Sequence, residues 1–229
     1  EAPFIPLKFP SIDFFDFDND QDPDCMICGD EGIYEYACYL YMNLDSGKFD
    51  EGVKLNGAYN GGSFIRDIDN DNDNDVILYG SYITNQEAGM HFYENSGDIL
   101  IQRNIPIEEL DNLEVFMHDF NSDSLVDFII SGIDVTDNQR KFKTHIYLNS
   151  GNWKFEKTEN EFFKNHRFIS MNYHDVNGDS IEEFNFSGYE WHGEGNFQQA
   201  SRPVNVIFNL SDQCVSEEMV TMVDSLVYL

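Results

Sequence analysis

Four short stretches of the chain crowd oxygen-bearing side chains at alternate positions: DFDNDQDPD (16–24), DIDNDNDND (67–75), DFNSDSLVD (119–127) and DVNGDSIEE (175–183). They begin 51, 52 and 56 residues apart, and each offers Asp, Asn or Glu at its first, third, fifth and ninth positions. That spacing suits a hard cation. Ca²⁺ takes six to eight oxygens at roughly 2.3–2.6 Å, and a tightly turning loop can aim alternate side chains and one backbone carbonyl at a common centre. Without an ion the same carboxylates repel one another. The competing reading is a set of solvated acidic turns that hold nothing, since Asp and Asn favour turns of themselves. An EF-hand is excluded, because its loop needs a bidentate Glu at position twelve and a helix on each side. Position twelve here is Ile27, Leu78, Ile130 or Phe186, and the flanks are strand-like.

The elements that must hold these loops also repeat. Each acidic stretch is followed by an apolar run ending near glycine: CMICG, VILYG, FIISG and FNFSG. After a variable loop comes a second recurring segment, YLYMNLDSGKF, HFYENSGDI, IYLNSGNWKF or VIFNLSDQCV. Each of these is a strand-like run closed by Asn43, Asn95, Asn149 or Asn209 and then a turn containing Ser or Gly. The unit therefore reads as strand, acidic turn, strand, variable loop, strand, Asn turn, strand. Four antiparallel strands in about 50 residues is the sequence sign of a propeller blade. The expected fold is all-β: a single β-propeller domain over 1–229, or an arc of one, with four-stranded repeats at about 10–55, 60–107, 112–161 and 167–222. The tail SLVYL (225–229) falls where the leading strand of a further repeat would begin, so an open arc or a piece of a larger ring is favoured over a closed four-bladed one.

Charge narrows the partners. With 43 acidic and 13 basic side chains the formal net charge is -30, which argues against nucleic acid or an anionic membrane, both of which call for clustered Lys and Arg. No run of about 18 apolar residues offers a membrane span. The start EAPFIPLKF has no charged-then-apolar leader and reads as a trimmed end, the expectation for a secreted or cell-surface protein.

On these residues the chain resembles the FG-GAP or VCBS repeats of integrin-α-type and secreted bacterial β-propellers: the DxDxDxxxD loops, each leading into an apolar strand, together with YLNSGNWKF and its relatives. The resemblance covers essentially the whole chain. It implies up to four Ca²⁺ ions, one in each loop between the first and second strands of a blade. By positional match the ligands would be Asp16, Asp18, Asp20, Asp22 and Asp24 in the first loop and Asp67, Asp69, Asp71, Asp73 and Asp75 in the second. The third would use Asp119, Asn121, Asp123, Leu125 and Asp127, and the fourth Asp175, Asn177, Asp179, Ile181 and Glu183, with only the backbone carbonyl coordinating at the seventh position. The chain departs from the pattern where the family usually has glycine after the third ligand. Gln21, Asn72, Ser124 and Ser180 stand there, so any left-handed backbone must be borne by non-glycine residues.

Other constellations are weaker. Cys25 and Cys28 form a CxxC, but three residues of strand span about 10 Å and place the thiols on opposite faces, beyond the roughly 7 Å reach of a disulfide. A Cys28–Cys38 bond across the hairpin is favoured, with Cys25 and Cys214 as buried thiols. The six histidines have no metal spacing, His91, His118 and His145 falling in or beside strands and His174 at a turn, and no nucleophile–base pair is evident. Asn185 and Asn209 each begin a glycosylation sequon. Among the variable loops the third carries the tight basic cluster Arg140, Lys141 and Lys143, and the fourth holds Trp191, His192 and Arg202. Aromatic and Arg residues on loops are common recognition elements, and the competing reading is an ordinary solvated hairpin tip. The expected function is a non-catalytic extracellular adhesion or interaction module. Its protein or glycan partner would meet Arg140, Lys141, Trp191, His192 and Arg202 on the face opposite the calcium loops. The alternative is the propeller of a secreted polysaccharide-active or hydrolytic enzyme.

Overall fold

The computed structural model describes residues 3–32, 35–57, 59–81, 89–97, 99–136, 140–158, 163–175, 178, 180, 182–191 and 201–209. The described residues are all-β, in antiparallel meanders laid down in chain order. The first sheet pairs β1 (Lys8–Phe15), β2 (Asp24–Gly32), β3 (Glu35–Tyr41) and β6 (Val53–Asn56); a two-stranded turn, β4 (Asn43–Asp45) with β5 (Lys48–Phe49), is inserted before its last strand. The second runs β7 (Tyr59–Arg66), β8 (Asp75–Ser81), β9 (Gly89–Asn95), β10 (Leu100–Arg103). A third sheet has β11 (Asp111–His118), β12 (Asp127–Asp134), β13 (Lys141–Asn149) and β14 (Phe155–Thr158). The fourth shows β15 (His166–His174), β16 (Glu183–Trp191) and β17 (Ser201–Asn209). The first three of these sheets have four strands and the fourth has three among the described residues, and no described sheet closes into a barrel. No described helix is long and apolar enough to cross a membrane.

The sequence pattern explains the layering. The second strands of the first three sheets begin as continuous apolar runs because both of their faces are covered there: β12 is buried along its whole length, and Met26, Val76, Ile77 and Phe128 are fully buried. The third strand of the third sheet alternates instead. In β13 Phe142, Thr144 and Ile146 are buried while Lys141, Lys143 and His145 are half-buried, the period of two expected of a strand with one core face. The glycine near the end of the second strand has a steric cause in the first and fourth sheets. A side chain at Gly29 would approach Leu7 and the Lys8 carbonyl at 2.9 Å, and one at Gly188 would lie 2.1 Å from the Arg167 carbonyl. Register shifts in β1 and β15 sit opposite those glycines, so the bulged first strand needs the space a Cβ would fill.

Two compact units divide the sheets: 1–113 with Ser150–Lys154, and 114–149 with 155–229. In the first, Met26, Cys28 and Leu40 of one sheet pack against Val76, Leu78 and Tyr93 of the other. In the second, Ile129 and Ile146 meet a phenylalanine-rich layer of Phe168, Phe184 and Phe186, closed over by Phe163. Cys28 and Cys38 are directly opposed in the β2–β3 register and joined by a disulfide, whereas Cys25 is a buried free thiol on the other face. Cys214 lies outside the described residues.

Candidate metal centres

The four acidic stretches are built as one repeated device. Position one caps the loop in each: Asp16 accepts the N–H groups of Asp20 and Gln21 at 3.0 Å, Asp67 those of Asp71 and Asn72, and Asp119 those of Asp123 and Ser124. Asp175 accepts from Ser180 in the same way and from Gly178, one position earlier than in the other loops. Position five accepts two residues on, through Asp20, Asp71 and Asp123. Positions four and six take the left-handed conformation in every loop, at Asn19 and Gln21, Asn70 and Asn72, Ser122 and Ser124, and Gly178 and Ser180. The turn is thus wound so tightly that only Gly178 among the eight has no Cβ to strain.

Position nine does something the spacing alone did not reveal. Asp24, Asp75 and Asp127 open β2, β8 and β12, are completely buried, and use both carboxylate oxygens on backbone. One oxygen accepts the N–H of position two, from Phe17, Ile68 or Phe120, at 2.7–2.8 Å. The other accepts the N–H of Asn43, Asn95 or Asn149 at 2.7–2.9 Å. The recurrent asparagine is therefore the far anchor of the acidic loop, a link whose signal was the fixed pairing of the two motifs in each repeat. Glu183 holds the same place at the start of β16, also buried. Asn177, Asp179 and Ile181 lie outside the described residues.

Among the described residues, negative charge gathers tightly in the first two loops. Carboxylate oxygens of Asp16, Asp18 and Asp24 lie within 4.8 Å of one another, and so do those of Asp67, Asp69 and Asp71. Two unit charges at that separation repel by roughly 3–4 kcal/mol at an effective dielectric of 20, more than one charge-assisted N–H bond of about 1.5–3 kcal/mol recovers. Burial pushes Asp75 up to about 7 and Asp127 up to about 6 in spite of their backbone donors. It raises Asp24, Asp18 and Asp69 as well, with neighbouring carboxylates adding to the effect. Asp69 is bonded through one oxygen: its Oδ2 accepts the Trp153 indole N–H at 2.9 Å, while its Oδ1 is buried and has no donor among the described residues. These donor sets fit a hard cation, since a carboxylate oxygen that accepts one N–H keeps a second lone pair for an ion. At position seven the Asp73 side chain accepts from the Asn19 amide at 3.0 Å, which leaves the backbone carbonyl for an ion, as the positional match implies for Asp22, Asp73, Leu125 and Ile181. The third loop is weaker in charge, with Asn121 donating to Asp123 at 2.9 Å.

No family model matches the chain, and no curated protein matches it.

The expected partner-binding residues are spread over the opposite sheet ends. Lys141 opens β13 across from Asp134, at the far end of the third sheet from Asp127 and Asn149. Arg140 precedes it in a left-handed conformation. Trp191 is the last residue of β16 rather than part of the loop; its N–H donates to the Asn165 carbonyl at 2.7 Å and its ring meets Phe142 edge-on at 6.1 Å. The backbone of Arg202, in β17, pairs with Glu190 of β16; its side chain and His192 lie outside the described residues.

Proposed function

We propose that this chain is a calcium-braced β-propeller, or an arc of one, built from FG-GAP- or VCBS-like blades and acting as a non-catalytic extracellular interaction module for a protein or glycan. The observation that carries the reading is the loop device itself: doubly left-handed turns that in the first two loops gather carboxylates around a common centre, with the buried Asp69 Oδ1 lacking a donor among the described residues. Ca²⁺ would supply the positive charge that those oxygens share. The chain's own residues do the rest: position one shapes the turn, position nine ties it to the Asn turn, and Trp153 orients Asp69. The four consecutive meanders support the blade reading, and the Cys28–Cys38 disulfide supports an oxidising compartment. The partner surface is placed on the sheet ends away from the loops, around Arg140, Lys141, Trp191, His192 and Arg202.

Each ion bound only by the native state adds about 2.7 kcal/mol at a hundredfold excess over Kd. EDTA should therefore lower the melting temperature, and Ca²⁺ titrated into stripped protein should raise it and shift Trp153 emission. Loss of the emission change in Trp153→Phe assigns it to the second loop. An unchanged melt, with no Ca²⁺ retained by elemental analysis, overturns the reading.

A further inference from the structure

The two faces of the first sheet are finished differently. Its inner face packs on the second sheet through Met26, Cys28 and Leu40. Its outer face, which carries Cys25, Ile27, Tyr39 and Tyr41, is crossed by the N-terminal segment 3–7. Phe4 sets its ring 4.9 Å from Tyr41 and 5.1 Å from Phe49, the Ile5 N–H donates to the Tyr41 hydroxyl at 2.9 Å, and Leu7 packs on the same cluster. The chain then enters β1 at Lys8.

That outer face is left unfinished along β1. Ile12 and Phe14 stand directly across from Ile27 and Cys25 in the β1–β2 register, so they share its face, yet they are 51% and 64% exposed. Phe9, near the start of the strand, is 89% exposed, and Phe4 and Ile5 on the crossing segment are exposed as well. Together these side chains offer roughly 500 Å² of apolar surface per chain, taking about 200 Å² for a whole aromatic side chain. A patch of that size ranks with the largest that monomers show, and such patches are often functional.

Charge stays off the patch. Glu31 and Lys54 beside it pair with each other. Asp13 is one position out of phase with Ile12 and Phe14, and accepts from the Ser63 hydroxyl at 2.5 Å. Charges gather at the two ends of β1 instead: exposed Lys8 at its start, and the acidic loop 16–24 beyond its last residue, Phe15.

We infer that the outer face of the first sheet is a self-association surface, on which a second copy of this chain seats its own Ile12 and Phe14 in a two-fold pair. The charge layout selects a second copy. A two-fold axis lying in the interface and crossing β1 at Ile12 runs the two strands antiparallel, and sets Lys8 of each copy against Asp16, the first aspartate of the other's acidic loop. Both ends are then complementary at once. The pair removes about 1,000 Å² of apolar surface from water, the lower bound for a specific interface. Edge-to-edge strand addition is disfavoured, since Pro10 lacks an N–H and Phe9 is left-handed beside a register shift. The contact is therefore face to face and closes at two copies. It goes beyond the proposed module and requires no ion.

The test is sedimentation velocity on the full chain up to about 100 µM, a weak affinity for an interface of this size. A concentration-dependent dimer is expected. Ile12→Ser with Phe14→Ser, both exposed positions, should raise the dimer Kd at least tenfold without lowering the melting temperature, and Lys8→Glu should raise it several-fold. Because the axis passes Ile12, Ile12→Cys should form a disulfide with its own counterpart under mild oxidation. Val135→Cys, at an exposed position just past β12, should not. A monomer at every concentration hands the face to a different partner and overturns the inference. So do open assemblies larger than two, a dimer untouched by the double serine variant, or cross-linking through Val135→Cys in place of Ile12→Cys.

Discussion

Asp127 and Asp123 lie four positions apart and serve opposite purposes. Asp127 is buried and holds the N–H groups of Phe120 and Asn149; Asp123 is exposed and bonds within the loop. Asp127→Ala strands two buried donors, so metal-free protein should lose about 2–4 kcal/mol in urea unfolding. Asp123→Ala should leave that midpoint nearly unchanged and instead weaken Ca²⁺ at the third loop. Equal midpoints for the two variants would refute the division of labour. A different carboxylate governs acid sensitivity. The Lys143 ammonium, helped by the Thr136 N–H, holds the Asp134 carboxyl far below the usual carboxylate range. A depressed folded value means that the stabilisation is complete above the unfolded value near 3.9 and fades as pH falls through the folded one. The stability gap between wild type and Lys143→Gln should therefore be widest above about pH 5 and shrink steadily between pH 4 and pH 2, as thermal melts across that range will read.

At the scale of the element, the β2–β3 hairpin is both paired and cross-linked. A disulfide closing about ten residues restricts the unfolded chain by about 2–3 kcal/mol, so the Cys28→Ala, Cys38→Ala double variant should unfold earlier by that amount while Cys25, on the other face, stays buried. An unchanged urea midpoint would show that the crosslink adds nothing to the strand pairing. This pairing was legible in the sequence because a strand alternates faces, which rules out Cys25–Cys28 and aligns Cys28 with Cys38. The strand order was legible for the same reason: the acidic turn and the Asn turn recur at fixed places in each repeat. Left-handed backbone at Gln21 was likewise expected from the missing glycine, but at Asn19, Asn70 and Ser122 it was not, because Asn and Ser also fit ordinary turns. The backbone role of position nine was hidden, since Asp24 reads equally as a ligand or as a clamp until its depth is known. Trp153 meeting Asp69 was beyond reach, because it spans segments whose approach depends on packing rather than on local pattern.

For the molecule as a whole, electrostatics and loop architecture bear on each other. Four divalent ions would bring the formal charge of -30 to about -22, so self-repulsion falls yet the protein stays strongly acidic. In the first unit the first two loops are stitched together. Asn19 donates to Asp73 at 3.0 Å and to the Asn72 carbonyl at 3.5 Å, Asn74 donates to the Asp16 carbonyl at 3.1 Å, and Asn95 to the Phe17 carbonyl at 3.0 Å. If both loops take an ion as proposed, a boundary shared in this way would couple them: an ion that orders one loop lowers the entropy the other must still lose, and the effect is reciprocal. Their binding isotherm should be steeper than that of two separate sites, with a Hill coefficient above one. Asn19→Gly, which keeps the left-handed backbone, combined with Asn74→Ala should flatten it toward one while leaving both ions able to bind. An isotherm of unchanged steepness would mean that the stitching holds the loops in place without passing anything between them. If it flattens, the pair behaves as a threshold detector, responding over a narrower range of calcium concentration than either loop could alone.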